Sequence, residues 1–299
     1  MQSFIHRIGI DLGGTKTELA VLDPAGTIVW RHREPTPTSY PDIIRTMTGL
    51  VAAAEAALNT VATIGVGIPG VVSPATNLVK NANTQALIGH ALDHDLAAAI
   101  GRPVRIENDA NCFALSEAAD GAGEGARCVF GVIIGTGCGG GIVVDGRVIA
   151  GRHRIAGEWG HTPLPHARAD ELPAPPCWCG QRGCLELYLA GPGLARSCDA
   201  PTGHAVLDRA AAGDPVALKA VADHADRLAR GLSVIINVLD PDVIVLGGGL
   251  SNLPHLYDTV PGLLGRYVFS DVVDTPILRN KHGDSSGVRG AAWLWPLAA

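Results

Sequence analysis

One layout occurs twice in this chain. "RIGIDLGGTKTELAVLD" (Arg7 to Asp23) reads as a strand, a tight glycine turn and a second strand, and "CVFGVIIGTGCGGGIVVDGRVIAG" (Cys128 to Gly151) repeats it. "TIVWRHREPTP" continues the first copy as a third strand ending at Pro35, and the "DG" at Asp145 extends the second into a hairpin. Such a repeat predicts two related α/β halves, each opening on a glycine-turned hairpin. The segments between fit that plan. Tyr40 to Leu58 carries apolar residues at helical spacing, and "TIGVGIPG" and "PVRIEND" are short apolar strands. "ANCFALSEAADGAG" is a helix stopped by glycine, and "DPVALKAVADHADRLARGLSVIINVL" is a long amphipathic helix with Gly231 inside it. "DPDVIVLGGG" is a buried strand ending in three glycines, and "SSGVRGAAWLW" is a closing helix. "PLPHARADELPAPPCWCGQRGC", rich in Pro and Ala, reads as an inserted loop.

With 299 residues, 47% of them hydrophobic, the chain can bury one large core or two smaller ones. A net charge of −6 argues against nucleic acid as a partner. The opening "MQSFIHRIGIDLGG" lacks the layout of a signal peptide, and no apolar run is long enough to cross a bilayer. The expectation is a soluble, cytoplasmic protein with no membrane partner. Thiols stay reduced there, so seven cysteines do not imply a disulfide frame.

Three of those cysteines, Cys177, Cys179 and Cys184, fall within "CWCGQRGC". Three thiolates on one loop suit a tetrahedral zinc, and Gly180 and Gly183 let the loop fold back. The bland alternative is three small core-filling thiols. A fourth ligand must come from elsewhere: His161 of "EWGH" is a candidate, and His153 and His166 compete. Cys112, Cys128, Cys138 and Cys198 stand singly and read as buried small residues.

"DLGGTK" (Asp11 to Lys16) and "IGTGCGGG" (Ile134 to Gly141) are candidate phosphate cradles, because glycine lets backbone N–H groups approach phosphate oxygens. Neither is a P-loop. Gly135, Gly137 and Gly140 match G-x-G-x-x-G, but a strand follows where a dinucleotide site needs a helix. Singly, each could be a plain hairpin turn. Two in equivalent places, with "LGGG" at Leu246 to Gly249, suggest a nucleotide held between halves.

"ENDAN" puts Asn108 and Asp109 between a strand and a helix. Asp109 could simply cap the helix. It could also serve as a general base whose ionised form the helix N-terminus favours. Phosphoryl transfer tolerates a weak base, since positioning matters more than early proton transfer. Glu158 and Glu186 flank the cysteine cluster and could accept bonds from sugar hydroxyls, or be solvated loop charges. Trp159 is bulky enough to narrow such a site.

Together "DLGGTK", "GIPG", "ENDAN", "IGTGCGGG", "GEWGH", "CWCGQRGCLE" and "DPDVIVLGGG" resemble the ROK family of bacterial sugar kinases, from about Ile8 to Trp295. "KNAN", "EWGH" and "KHGDSSGVRGAAWLWP" are similar to its fructokinase (manno(fructo)kinase) branch. The resemblance implies an α/β, two-domain, actin-like and ribonuclease-H-like fold with ATP in the cleft. The division expected is 1–120 plus 286–299 against 121–285, the latter with the zinc loop. It implies ATP-dependent phosphorylation of fructose, also mannose, at the 6-hydroxyl, with Mg2+ and a structural zinc. Alternatives are a kinase for N-acetylglucosamine or N-acetylmannosamine, or a glucokinase. A non-catalytic sugar-sensing repressor fits less well, since only ten residues precede Asp11 and Asp109 is present. Carried over by motif, Asp109 is the base. Gly70, Asn81, Asn83, Asn108, Glu158, His161 and Glu186 join it in contacting the sugar. Gly9, Asp11, Gly13, Gly14, Thr15 and Lys16 hold the nucleotide, with Gly135, Thr136, Gly137, Gly139, Gly140, Gly248 and Gly249. His161, Cys177, Cys179 and Cys184 hold zinc. A homodimer is also implied.

Overall fold

Each copy of the repeat builds one sheet. The computed structural model describes residues 6–296. Its first half runs through β1 (Arg7–Leu12), β2 (Lys16–Leu22), β3 (Ile28–Pro35), α1 (Tyr40–Leu58) and β4 (Thr63–Ile68). The short pair β5 (Val71–Val72) and β6 (Val79–Lys80) follows, then α2 (Leu92–Ile100), β7 (Val104–Asn108) and α3 (Asp109–Asp120). The second half opens on β8 (Cys128–Ile134), β9 (Cys138–Val144) and β10 (Arg147–Val148). After the long loop come α4 (Glu186–Leu189), α5 (Gly191–Arg196), α6 (Gly203–Ala211) and α7 (Pro215–Leu239). The chain closes with β11 (Val243–Gly247), α8 (His255–Asp258), α9 (Val260–Leu264), β12 (Ile277–Arg279) and α10 (Ser286–Trp293). Among the described residues no helix is long and apolar enough to cross a membrane.

The sheet orders are β3-β2-β1-β4-β7 and β10-β9-β8-β11-β12. In each, the central strand pairs antiparallel with its hairpin partner and parallel with the next strand. The repeat in sequence is thus a repeat in topology. Local chemistry sets the ends of the helices. Ser39 caps α1 by accepting from Asp42 N, and Asn59 closes it in a left-handed conformation. Its Ile43, Met47, Leu50, Val51 and Ala54 fall on one buried stripe. Asp214 caps α7 and Pro215 starts it. Gly231 is required inside α7, because a Cβ there would meet Trp159 Cζ3 at 2.9 Å.

Helices α3 and α10 form the layer between the sheets. Phe113, Ala114 and Leu115 of α3 pack with Val129, Val143, Val243 and Val245 of the second sheet. On the other side, α10 lies on β1 and β4. Gly9 and Gly65 make room for it: a Cβ at these positions would sit 1.9 Å from Val288 O and 1.8 Å from Ala291 O. Gly9, which the family resemblance puts among the nucleotide-holding residues, is the seat of α10 through its missing side chain. The expected division at 120/121 and 285/286 falls at the end of α3 and the start of α10, so it assigns both helices of this layer to the first half; residues 1–5 and 297–299 of that division lie outside the described residues.

Candidate active site

The site is built where β7 becomes α3. Asn108 ends the strand and caps the helix: its Oδ1 accepts from Ala110 N (2.9 Å) and Asn111 N (3.4 Å). Its Nδ2 donates to Gly70 O at 3.3 Å, tying the cap to the turn after β4. Gly70 adopts φ 154°, and a Cβ there would sit 2.9 Å from Ala82 Cα and Lys80 O. The cap is therefore Asn108, not Asp109. That leaves Asp109 as the first helical residue, with Oδ1 accepting from Ala110 N at 2.8 Å.

The Asp109 carboxyl is pushed up to about 6, first by burial and then by the negative charge of Asp11, with Glu158 adding to it. Asp11 is also raised to about 6, by burial and by Glu18, its register partner on β2. The helix N-terminus should hold Asp109 down. Burial among other acids wins. Two buried carboxyls, one raised by the charge of the other, the Asp11 side chain having no hydrogen-bond partner among the described residues, are suited to share a cation.

The glycine turns border these acids. In the first, Gly13 N donates to Lys16 O (3.0 Å) and Thr36 Oγ1 to Gly13 O (2.8 Å), leaving Gly14, Thr15 and Lys16 exposed. In the second, Gly135 N donates to Gly137 O at 2.9 Å and Thr136 is exposed. Gly139 lies beyond this turn in β9, 3.6 Å from Ala110 Cβ if it carried a Cβ of its own. Gly140 is buried, its open side filled by Phe130 and Trp159, so it serves packing. Gly248 (φ 87°) and Gly249 are exposed and lie beside the second turn: a Cβ on Gly248 would meet Ile134 O at 2.5 Å. Gly191, which sequence reasoning missed, donates to Gly135 O at 2.8 Å and braces the same turn. Its only signal was the "GPG" that starts α5.

The loop after β6 exposes Asn81, in a left-handed conformation at φ 56°, and Asn83. Asn83 N donates to Pro69 O (3.1 Å), and Thr84 Oγ1 lies 3.7 Å from where a Gly14 Cβ would be. The loop thus joins the Gly70 turn to the first glycine turn.

The cysteine loop lies on the other side. Ligand atoms of His161, Cys177, Cys179 and Cys184 all lie within 4.8 Å of one another. Cys177 Sγ is 3.7 Å from His161 Nδ1, and Cys179 Sγ is 3.6 Å from Cys184 Sγ. Donors about 2.3 Å (sulfur) and 2.0 Å (nitrogen) from a tetrahedral zinc would be spaced in this way, so the set fits the metal. Gly180 (φ 88°) and Gly183 (φ 70°) take the left-handed turns expected of them. His153 is exposed and outside the cluster, and His166 is stacked on Tyr267 instead. Cys112, Cys138 and Cys198 are buried elsewhere, and Cys128 is half-buried.

Glu186 links the cysteine loop to the second glycine turn. Its Oε2 accepts from Cys138 N (3.0 Å) and its Oε1 from Trp178 Nε1 (2.9 Å). Trp178, unremarked in the sequence, is 73% exposed and edge-on to His161 at 4.9 Å. Glu158 is exposed; the surrounding protein and Glu186 raise its carboxyl while His161 opposes them. Trp159 does not narrow the site. It is 4% exposed, donates to Gly139 O at 2.9 Å and packs edge-on against Phe130 in the core. Cavities of about 240 Å³ beside Tyr188 and Arg227 and about 350 Å³ beside Val72 and Arg154 do not include Asp109.

Two mixed five-stranded sheets with α3 and α10 between them, and glycine turns facing an acid pair, define the α/β two-domain fold of actin-like sugar kinases. The ROK family model matches residues 7–297, and the chain belongs to the ROK family. It is 42% identical to the N-acetyl-D-glucosamine kinase of Pasteurella multocida over 300 residues, covering 97% of this chain and 99% of that one. Among solved structures it is similar to the ROK hexokinase of Thermus thermophilus, with TM-score 0.84, 32% identity, and 96% and 97% of the two chains covered. The ROK glucokinase of Streptomyces griseus, in complex with glucose and AMPPNP, matches with TM-score 0.77 and 29% identity, covering 97% of this chain and 98% of that one.

Proposed function

We propose that the chain is an ATP-dependent kinase that phosphorylates the 6-hydroxyl of N-acetyl-D-glucosamine. The observation that carries the chemistry is Asp109: a carboxyl bonded to the backbone of its own helix start, raised to about 6, set between two glycine turns. A base poised closer to neutrality than an ordinary aspartate suits a proton acceptor. In this reading Asp109 takes the hydroxyl proton as that oxygen bonds to the γ-phosphorus, and the bridging oxygen leaves with ADP. Asn108, anchored on Gly70 O, orients the sugar together with Glu158, Glu186 and the free Nε2 of His161. Asn81 and Asn83 close the sugar side. Gly13 to Lys16, Gly135 to Gly137 and Gly139 cradle the phosphates, and Gly248 and Gly249 border the nucleotide. Mg2+ bound with ATP supplies charge neutralisation, and Asp11 is the residue that would hold it. Zinc on His161 and the three cysteines is structural, since four protein ligands leave no open position. The working assembly is proposed to be a homodimer.

The sugar assignment departs from the fructose expected from the sequence. The 42%-identical relative named for N-acetyl-D-glucosamine supports the change. So does Trp159, bulky enough to narrow a pocket but turned into the core. A 2-acetamido group needs space and partners for its amide, and a site built for a hydroxyl would discriminate against it. The test is ATP-dependent phosphorylation across hexoses and N-acetylhexosamines. The expected ratio of kcat/KM for N-acetylglucosamine to that for fructose is well above one. A ratio below one restores the fructose reading, and no turnover of any sugar rejects the kinase.

A further inference from the structure

Between the two halves, one ion pair reaches the turn that carries the proposed base. Arg154 lies in the loop after β10, held in a left-handed conformation (φ 56°) with its N–H on Gly151 O. Its Nη2 crosses to the edge strand of the other sheet, donating to Glu107 Oε2 at 3.0 Å and to Ile106 O at 3.4 Å. Glu107 is 8% exposed. Its second oxygen, Oε1, accepts from Asn108 N (2.9 Å) and Asn111 Nδ2 (3.1 Å). Glu107 is thus a two-sided connector. One oxygen faces a cation from the second half; the other grips the backbone of the cap and the first turn of α3.

We infer that Arg154 is a positioning residue, holding through Glu107 the turn that presents Asn108 and Asp109, and coupling that turn to the seating of the two halves. The inference rests on the reading of Asp109 as the base. The physical reason is the buried charge. A carboxylate so little exposed needs a paired cation, and among the described residues Arg154 is the cation that pairs with it. Without it Glu107 would turn toward water or take up a proton. Either change loosens the bonds to Asn108 N and Asn111. Displacing a reacting group by about 1 Å can cost on the order of 100-fold in rate. The guanidinium also borders the cavity of about 350 Å³ that Val72, Ser73, Asn77 and Asp93 line. Small cations can therefore approach the place it occupies.

The experiment compares Arg154→Ala, Glu107→Gln and the double variant in steady-state phosphorylation of whichever sugar the unaltered enzyme turns over best. Arg154→Ala should lower kcat/KM for the sugar by about 10- to 100-fold through both kcat and the sugar KM, with the KM for ATP unchanged. Sub-denaturing guanidinium should restore part of the loss. In the Glu107→Gln background, where no charge awaits pairing, the same change should cost little. A general structural defect would lower the melting temperature and the active fraction without this KM pattern or rescue. Where Arg154→Ala does not fold, Arg154→Gln carries the test, with an expected loss of about tenfold at intact fold. A kcat/KM within twofold of the unaltered enzyme overturns the inference while Asp109→Asn remains inactive. An active Asp109→Asn instead overturns the reading of the base itself.

Discussion

Asp109 separates a capping role from a catalytic one, because the two predict opposite effects on stability. If it merely started α3, Asp109→Asn would be neutral or destabilising. The structure implies the reverse. Its carboxyl is raised from 3.8 to about 6, with burial the first cause and Asp11 the second. At about 1.4 kcal/mol per pH unit, this amounts to roughly 3 kcal/mol against the charged form in the folded state. Residual exposure and the shared charge with Asp11 reduce this to about 2 kcal/mol. Asn keeps the oxygen that accepts from Ala110 N and removes the charge.

The sign follows from linkage. A carboxyl whose folded value lies above its unfolded one destabilises the fold only where it is ionised. The penalty is absent below pH 3.8, grows up to about 6 and is constant beyond. Asp109→Asn should therefore melt roughly 3–6 °C higher at neutral pH and show little gain near pH 4. Over the same change kcat should fall by about two to four powers of ten, with sugar binding largely kept. Thermal melts at the two pH values and single-turnover phosphorylation check both halves. A variant that is inactive but not stabilised refutes the electrostatic argument, and one that stays active refutes the base.

Two further outcomes follow from groups away from the acid pair. Purified enzyme should carry about one zinc per chain by elemental analysis, and Cys179→Ser should lose zinc, thermal stability and sugar affinity together, because Glu186 is held next to that loop. Active enzyme without zinc would sink the assignment. His224 and His255 form a buried pair: His224 Nδ1 is 2.9 Å from His255 Nε2, and its Nε2 is 2.9 Å from Leu189 O. Burial lowers them from 6.5 to about 4 and about 3 respectively. The unfolded chain binds these protons first, so stability falls as pH drops from 6.5 toward 4. His224→Gln should flatten that limb of the melting curve, and an unchanged slope would contradict it.

The two halves were legible in the sequence because a hairpin declares itself locally: period-two apolar residues, a glycine turn, then the same again. The zinc set was legible down to three ligands for a similar reason, since one short loop carries them. Choosing His161 over His153 and His166 from spacing alone was not possible, because nothing local says where "EWGH" sits relative to the cysteines. The glycines show most sharply what a sequence leaves out. Gly9, Gly14, Gly140 and Gly248 are the same letter near a strand end. Only the neighbours of the missing Cβ separate them: helix backbone at 1.9 Å for Gly9, aromatic rings at 2.9 Å for Gly140, the Ile134 backbone at 2.5 Å for Gly248, and no contact closer than 3.7 Å at the exposed Gly14. A glycine kept for packing and one kept open for a ligand differ in a tertiary contact made far along the chain. Trp159 and Trp178 make the same point with the opposite residue type. Both stand near the metal loop in sequence, yet Gly231 of a distant helix admits the first into the core, while the second stays in solvent, bonded to Glu186. The direction of a side chain was the missing quantity, and with it the width of the sugar site and the choice of sugar.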